Sequence, residues 1–544
     1  MKEGNVIRFL VNDTPITLEE CAPSLTVLDW LRTKVGKTGT KEGCATGDCG
    51  ACTVLVGQYV NNASGERVWQ YQAINSCLLL VGNAHGKHIV TVEALTEQLS
   101  PLVEATLDQL HPVQRAIVEC HGSQCGFCTP GVVMSLMALY LNHENYPGKQ
   151  TVIHALGGNL CRCTGYRPIL DAAEKMYQYP RVERLWHSQM EQTEQHLNNS
   201  DSTPFLCTSL PDDSLADKQL PENQQRFFYL PQTAAELIAL KNQYPEAQLV
   251  AGATDYAIEL SQQLVQPQIL ISVSQATELS QLNITEDALE IGAALPYRQF
   301  VDTFCQEYPE AKELFERLGS EQVRSAGTLG GSLGNASPIG DPAPLLIALN
   351  ATMELESSQG SRKIAVEDFF TGYRATVLAP DEVITKVIVP KRPAAMKLAC
   401  HKVSKRLEDD ISTVCLVLAV TLDAEHTQIN LARCAMGGMA AVPARASHIE
   451  QALIGQPYVA DSFTQAGAVV AQDFSPMSDV RASSDYRLTV SQNLLTRIGI
   501  EFCQAIAVTQ IAANEAVLDS APQSTSETLS APAKLTTRIS HASL

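Results

Sequence analysis

Eight of the sixteen cysteines in this 544-residue chain fall into two compact quartets. The first is Cys44, Cys49, Cys52 and Cys77, spaced C-x4-C-x2-C-x24-C. The second is Cys125, Cys128, Cys161 and Cys163, spaced C-x2-C-x32-C-x-C. Thiolates spaced this closely can gather around metal, so the first third of the chain reads as loops wrapped on two centres. Four thiolates can hold one iron–sulfur cluster, and two such sets read as a relay for single electrons.

The remaining bulk features narrow the setting. No run of about 18 apolar residues marks a membrane span. The start, Met1-Lys2-Glu3-Gly4-Asn5-Val6-Ile7-Arg8, lacks the apolar core of a secretory signal. The expectation is a cytoplasmic protein, in which cysteines serve as metal ligands or buried thiols rather than disulfides. A net charge of −20 argues against nonspecific nucleic-acid binding, which needs a positive surface.

Periodicity divides the chain. Residues 6–11 alternate like a strand, and Asn12-Asp13 can turn it into a second strand near Ile16–Leu18. Ser24 precedes Val27, Leu28 and Leu31 and is the expected helix N-cap. Thr53-Val54-Leu55-Val56 reads as a strand leaving the first cysteine loop, and this β-rich unit is expected to span 1–95. Residues 96–185 read as helical. Val132, Val133, Leu136, Leu139 and Tyr140 share one helical face behind Pro130, with the second quartet on the connecting loops. A polar stretch, 186–225, reads as a linker. Short apolar strands (Leu249–Ala251, Ile269–Val273) then alternate with helices (Ala234–Tyr244, Asp255–Gln263), giving an α/β unit over 226–395. Strand-like runs at Val414–Leu422 and Ile429–Ala435 open a further unit over 396–515. A Ser/Thr/Ala/Pro tail, 516–544, reads as disordered.

The first quartet lies in Glu42-Gly43-Cys44-Ala45-Thr46-Gly47-Asp48-Cys49-Gly50-Ala51-Cys52. C-x4-C-x2-C with a distant fourth cysteine is the plant-type spacing for a [2Fe–2S] cluster. Glycines suit a loop that must turn its N–H groups toward the sulfurs. A zinc knuckle or inert buried thiols are the competing readings. The second quartet, Gln124-Cys125-Gly126-Phe127-Cys128-Thr129-Pro130-Gly131 with Asn159-Leu160-Cys161-Arg162-Cys163-Thr164-Gly165-Tyr166-Arg167-Pro168, is ambiguous on spacing alone, because two short cysteine pairs also suit zinc. Nearby Cys120 reads as a buried thiol.

These last two stretches resemble the helical [2Fe–2S] domain of the molybdenum hydroxylases, the xanthine dehydrogenase family. The resemblance implies a cluster at the second quartet, closest to a molybdenum cofactor, with the plant-type cluster between it and a flavin. It also implies that Gln124 reaches toward the molybdopterin. Three further stretches resemble the family's FAD domain: Leu249-Val250-Ala251-Gly252-Ala253-Thr254-Asp255-Tyr256, Gly327-Thr328-Leu329-Gly330-Gly331-Ser332-Leu333-Gly334-Asn335-Ala336-Ser337-Pro338-Ile339-Gly340-Asp341, and Lys402-Val403-Ser404-Lys405-Arg406-Leu407-Glu408-Asp409-Asp410. By that resemblance the two Gly-rich loops wrap the FAD diphosphate and Asp341 helps fix the cofactor. Leu318, Ile384 and Lys402 border the flavin. Ala253 and Ser332 depart from the family, which commonly has Gly or Asn at the first position and Asn at the second. Phe474-Ser475-Pro476-Met477-Ser478-Asp479-Val480-Arg481-Ala482 and Asp485-Tyr486-Arg487 resemble its C-terminal flavoprotein subdomain, a structural part.

Other nucleotide signatures fail. Gly36-Lys37-Thr38 echoes a phosphate-loop ending, but Leu31 stands at the required leading glycine. No G-x-G-x-x-G opens a βαβ unit for NAD.

The resemblance implies a multidomain α+β chain: a ferredoxin β-grasp domain, a helical [2Fe–2S] domain, an α/β FAD domain and a small C-terminal α+β subdomain. It implies two [2Fe–2S] clusters and FAD here, NAD+ as acceptor, and molybdopterin on a partner large subunit, in an α2β2 heterotetramer. No residue here is assigned a catalytic acid or base. The other readings are the redox subunit of a hydroxylase acting on an aldehyde, CO or an N-heterocycle, a stand-alone flavin–iron–sulfur reductase, and a metal-binding or redox-sensing protein.

Overall fold

The structure is a computed structural model that describes residues 6–61, 67–95, 106–182, 205–208, 226–265 and 267–518. Its first unit is a five-stranded sheet. β1 (Ile7–Val11) and β2 (Thr14–Leu18) form a hairpin, with Asn12 at φ 59° in the turn. β3 (Thr53–Asn61) and β4 (Arg67–Asn75) form a second hairpin, and β5 (His88–Val90) lies parallel to β1 between the two, in order β2-β1-β5-β3-β4. A parallel pair needs a crossover, and α1 (Val27–Thr33) lies within it, burying Val27, Leu28 and Leu31. Its N-cap is Thr26, not Ser24: the Thr26 hydroxyl accepts from the Asp29 N–H at 3.1 Å. The apolar residues begin one position after Thr26, which leaves Ser24 too far upstream to reach the orphan N–H groups.

The helical unit comprises α2 (Pro112–Glu119), α3 (Thr129–Asn142), α4 (Lys149–Leu156) and α5 (Arg167–Lys175). Pro130 lies in the first turn of α3, as expected. The single apolar face expected for α3 is an underestimate, because every residue from Gly131 to Tyr140 is buried. One side packs on Leu55, Tyr71, Ala73 and Val90 of the first sheet, and the other on α2, α4 and α5. A helix covered from all sides needs no polar stripe.

The flavin-type segment begins inside the stretch read as a linker. Strand Phe205–Thr208 pairs with Phe227–Leu230, which runs parallel to Ile269–Ser272, and that strand parallel to Gln248–Val250. The rest of 186–225 lies outside the described residues. Alongside the expected strand–helix alternation is a five-stranded antiparallel sheet: Leu282–Ile284, Ala288–Gly292, Val383–Pro390, Thr352–Ser357 and Gly360–Ala365. The C-terminal unit is antiparallel too, with Met396–Val403, Val414–Leu422, Ile429–Gly437 and Ala444–Arg445 packed on helices Ala460–Gly467 and Ser484–Leu518. His401 faces Glu501 of the long helix at 3.2 Å. The long helix runs through Leu518, so the tail read from 516 opens within it, and the remainder from 519 lies outside the described residues. Among the described residues no helix is long and apolar enough to cross a membrane.

The units share cores. Phe228, Leu230, Val250, Ala253, Ala257 and Leu260 of the flavin segment join one cluster with the first sheet and α1. An added Cβ at Gly82 would lie 2.5 Å from the Phe228 ring, so the first unit and the flavin segment meet without a gap.

Candidate redox centres and flavin site

The first quartet sits where α1 hands over to β3. Left-handed turns at Ala45 (φ 56°), Gly47 (φ 84°) and Gly50 (φ 66°) curl the loop so that its N–H groups face inward. The N–H groups of Thr46 and Cys49 each donate to Cys44 Sγ at 3.4 Å. Cys52 Sγ and Cys77 Sγ lie 3.3 Å apart, and Asn75 locks the base of the loop by donating to the Gly47 carbonyl at 2.6 Å. A hydrogen bond from Cys49, helped by the Thr46 and Cys49 donors, draws the Cys44 thiol down to about 4 against its burial; the same bond pushes Cys49 up. In the other pair, Cys52 is lowered by Cys77, and Cys77 is raised by Cys52.

The second quartet repeats this pairing at the surface. Cys125 is lowered by the Phe127 N–H and by Cys163, which is itself raised. Burial and a bond to Cys161 push Cys128 up to about 12. Burial raises Cys161, but the Thr164 hydroxyl at 3.2 Å and nearby donors outweigh it and lower the thiol. Tyr166, left-handed at φ 67° before α5, accepts the Cys161 N–H at 2.8 Å on its hydroxyl and shapes the loop. Gln124, Cys125 and Cys163 are exposed, as is Phe127, at 46%.

The thiols of each quartet thus come as two close pairs. Two irons with two thiolates each match paired donors, whereas zinc takes four donors about a single centre. The donor chemistry fits a [2Fe–2S] cluster at both quartets.

The quartets touch. The Leu160 N–H donates to the Cys49 carbonyl at 3.0 Å, linking the residue before Cys161 to a first-quartet cysteine. Phe127 reaches over from the second loop, so that a Cβ added at Gly43 would lie 3.4 Å from its ring. On its other side the first loop meets the flavin segment, where the Ser261 hydroxyl donates to the Ala45 carbonyl at 3.0 Å.

The predicted flavin residues converge from distant positions. Leu249 and Val250 belong to a strand; the Val250 side chain is core, so only its backbone can face a ligand, while Leu249 is half-buried. The turn Ala251–Thr254 packs on Ala326-Gly327: a Cβ at Gly252 would lie 1.8 Å from the Ala326 carbonyl oxygen. Ala253 adopts φ 57°, which explains why Gly or Asn suits that position. Thr328 caps the helix Leu329–Asn335 by accepting from the Gly331 N–H at 3.0 Å. A Cβ at Gly330 would lie 2.6 Å from the Ala293 carbonyl, a Cβ at Gly334 would touch Ile384, and one at Gly340 would stand 3.7 Å from the Ser332 hydroxyl. Asp341 and Lys402 pair at 2.7 Å, and Lys402 also donates to the Arg317 carbonyl at 2.8 Å, next to Leu318. Asp255 and Tyr256 begin the helix beside the turn.

Two contributors carried no sequence signal strong enough to find. Arg374, at the tip of a short hairpin and at φ 51°, reaches Glu259 at 2.7 Å and Asp255 at 3.4 Å, strapping the first Gly-rich turn. The Ser412 hydroxyl donates to the second oxygen of Asp341. Gly372-Tyr373 hints at the hairpin, but nothing local tells where its arginine lands.

The loop 404–410 closes this region. Burial first, then the charge of Asp48 in the first cysteine loop, raises the Asp409 carboxyl to about 7. Glu408 faces His154 of α4 at 3.3 Å, with Glu316 at 4.0 Å and Gln150 at 3.0 Å around the same ring. The Glu408 carboxylate raises the His154 pKa, outweighing burial. A raised folded pKa gives stabilisation that is complete below about 6.5 and is lost as pH climbs through the folded value. Amide exchange in 404–410 is therefore expected to quicken above about pH 6.5 beyond the intrinsic pH effect, and His154→Gln to abolish the excess. A wild-type loop with no excess would refute the pairing.

Four family models match the chain. Residues 9–82 match a 2Fe-2S iron-sulfur cluster binding domain and 91–174 a [2Fe-2S] binding domain. Residues 222–392 match the FAD binding domain in molybdopterin dehydrogenase, and 399–502 the CO dehydrogenase flavoprotein C-terminal domain. The chain is 32% identical over 517 residues to xanthine dehydrogenase of Emericella nidulans, covering 87% of this chain and 36% of that protein. It is 31% identical over 515 residues to xanthine dehydrogenase 1 of Arabidopsis thaliana, covering 85% and 37%. The chain thus spans little more than a third of these relatives. Among solved structures, a carbon monoxide dehydrogenase chain from Hydrogenophaga pseudoflava aligns with TM-score 0.48 and 24% identity, over 51% of this chain and 96% of that one. A quinoline 2-oxidoreductase chain from Pseudomonas putida 86 aligns with TM-score 0.47 and 24% identity, over 51% and 96%.

Proposed function

This chain belongs to the molybdenum hydroxylase family, and on that premise we propose that it is the iron–sulfur and flavin subunit of a xanthine dehydrogenase. It acts with a molybdopterin-binding large subunit, in a cytoplasmic α2β2 assembly, and serves the oxidation of hypoxanthine and xanthine to urate with NAD+ as acceptor. Single-electron transfer by two [2Fe–2S] clusters and two-electron transfer by FAD are the chemistry those groups supply when bound.

One observation carries the reading. The quartets are joined by a backbone hydrogen bond, with one quartet open at the surface and the other against the flavin segment. This is the layout of a conduit. Cys125, Cys128, Cys161 and Cys163 hold the entry cluster, beside the exposed face of Gln124 and Phe127 where a partner can dock. Cys44, Cys49, Cys52 and Cys77 hold the inner cluster, and inward N–H groups favour thiolate there. Backbone of residues 249–256 and 328–332 cradles the FAD, with Leu318, Asp341, Ile384 and Lys402 around it. The similarity to xanthine dehydrogenases over most of this chain supports a purine substrate.

The chain purified with its partner should hold iron and sulfide near four each, give two reduced-state EPR signals, and oxidise xanthine. The chain alone should pass electrons from NADH to a dye but leave xanthine untouched. Zinc in place of iron, or xanthine turnover without molybdenum, would overturn the proposal. The match of 399–502 to a CO dehydrogenase flavoprotein domain favours a second reading, a partner acting on CO, an aldehyde or an N-heterocycle, and the substrate profile of the complex separates the two.

The flavin assignment has its own test. A methyl group at position 252 must displace the Ala326 backbone. Gly252→Ala is expected to cost about 1–3 kcal/mol or more and to lower bound flavin per protein while both EPR signals persist. Full flavin occupancy in this variant would place the cofactor elsewhere.

A further inference from the structure

Gln322 belongs to none of the motifs above. It lies in the short helix Glu321–Arg324 of the flavin segment and is 1% exposed. Its Nε2 approaches three acceptors: Asn159 Oδ1 at 3.0 Å, Ser135 Oγ at 3.1 Å and Thr53 Oγ1 at 3.3 Å. These belong to the loop entering Cys161, to α3, and to the start of β3 just after Cys52. The three are also tied to one another. Ser135 donates to Asn159 at 2.7 Å, Asn159 donates to the Gly50 carbonyl at 3.2 Å, and Thr53 donates to that same carbonyl at 2.7 Å.

This knot flanks the contact between the quartets. Gly50 follows Cys49, whose carbonyl accepts the bridging bond, and Asn159 precedes Leu160, whose N–H donates it. The packing leaves no slack. A Cβ added at Gly158 would lie 2.4 Å from Gln322 Oε1, one at Gly50 2.2 Å from the Gly158 carbonyl, and one at Gly131 2.1 Å from the Gly50 carbonyl. Gln322 Oε1 is buried with no hydrogen-bond partner among the described residues, so the Nε2 contacts to three separate elements, together with this close packing, fix the side chain.

We propose that Gln322 is a positioning residue for electron transfer between the two quartets, holding the Cys49 carbonyl against the Leu160 amide from within the flavin segment. The proposal rests on clusters occupying both quartets. It makes the flavin segment a part of the conduit's alignment as well as its outlet.

Gln322→Met keeps the length and volume of the side chain and removes its donors. The experiment uses the full cluster-loaded chain, flash photoreduction with less than one electron per chain, and freeze-quenched EPR. In Gln322→Met both signals and full iron are retained. Equilibration between them is expected to slow at least about tenfold, within the roughly hundredfold that a misplacement of about 1 Å can cost. The magnetic splitting between the two fully reduced clusters changes with it. An unchanged rate and splitting overturn the proposal, whatever happens to thermal stability. If Gln322→Met loses iron, Ser135→Ala decides. It removes one member of the knot away from the sulfurs and should slow equilibration in the same sense; parental kinetics there also overturn the proposal. Parent protein lacking either signal would sink the cluster assignment itself, and the proposal with it.

Discussion

Cys161→Ser should leave about two iron atoms per chain in place of about four, and one EPR signal in place of two. Cys161 is the buried member of the outer quartet, closely paired with Cys128 and held low by the Thr164 hydroxyl and nearby N–H donors. A serine oxygen is a poorer ligand for iron than a thiolate, so the pair with Cys128 loses one of its two thiolate donors. The inner quartet keeps its own loop, its Asn75 lock and its contact with the flavin segment. On the proposed function, NADH-driven dye reduction should therefore persist, while substrate-driven NAD+ reduction in the complex with the proposed partner should collapse. Loss of both signals would show that the quartets are not independent centres. Retention of both would remove Cys161 from the ligand set.

The second large effect is expected at Asp341. Its carboxylate and the Lys402 ammonium, 4% and 3% exposed, lie 2.7 Å apart, Asp341 at the start of the helix Pro342–Ala348 and Lys402 on the strand Met396–Val403. Ser412 donates to the other carboxylate oxygen, and Arg317 offers its carbonyl to the ammonium. Asp341→Ala leaves a buried ammonium with that carbonyl alone. Breaking a buried pair from one side costs about 3–5 kcal/mol, because the remaining charge keeps its desolvation penalty without its partner. Lys402→Met should cost a similar amount for the opposite charge. The double variant Asp341→Leu with Lys402→Met should recover part of the stability, since no uncompensated charge remains. Denaturant unfolding followed by flavin release measures all three. Bound flavin should be lost in each, including the restabilised double variant, if the pair also borders the cofactor. Single variants within about 0.5 kcal/mol of the parent would show that the pair is not the anchor its burial indicates.

Much of this was legible in the sequence because its signals are local. The C-x4-C-x2-C loop, the Asn12 turn, the Pro130 helix start and the strand Val414–Leu422 each depend on neighbours within a few residues, and each forms as expected. Other features depend on what packs from afar. α3 looked one-sided, yet it is enclosed by the first sheet and three helices. Ser24 was a fair cap by composition, but Thr26 is placed where the helix starts. Phe205–Thr208 had no periodicity, and becomes a strand because Phe227–Leu230 presents it an edge.

The sequence by itself determined the two metal-binding loops, the order of units and the family, because ligand chemistry demands particular residues at particular short spacings. Only the tertiary structure decided that the thiols stand in pairs, that the Cys49 carbonyl meets the Leu160 amide, and that Gln322 and Arg374 reach into sites more than a hundred residues away. Those facts come from packing of separate units against one another. Close packing selects contacts by shape and by the need to satisfy every buried polar group, and neither leaves a fixed spacing along the chain.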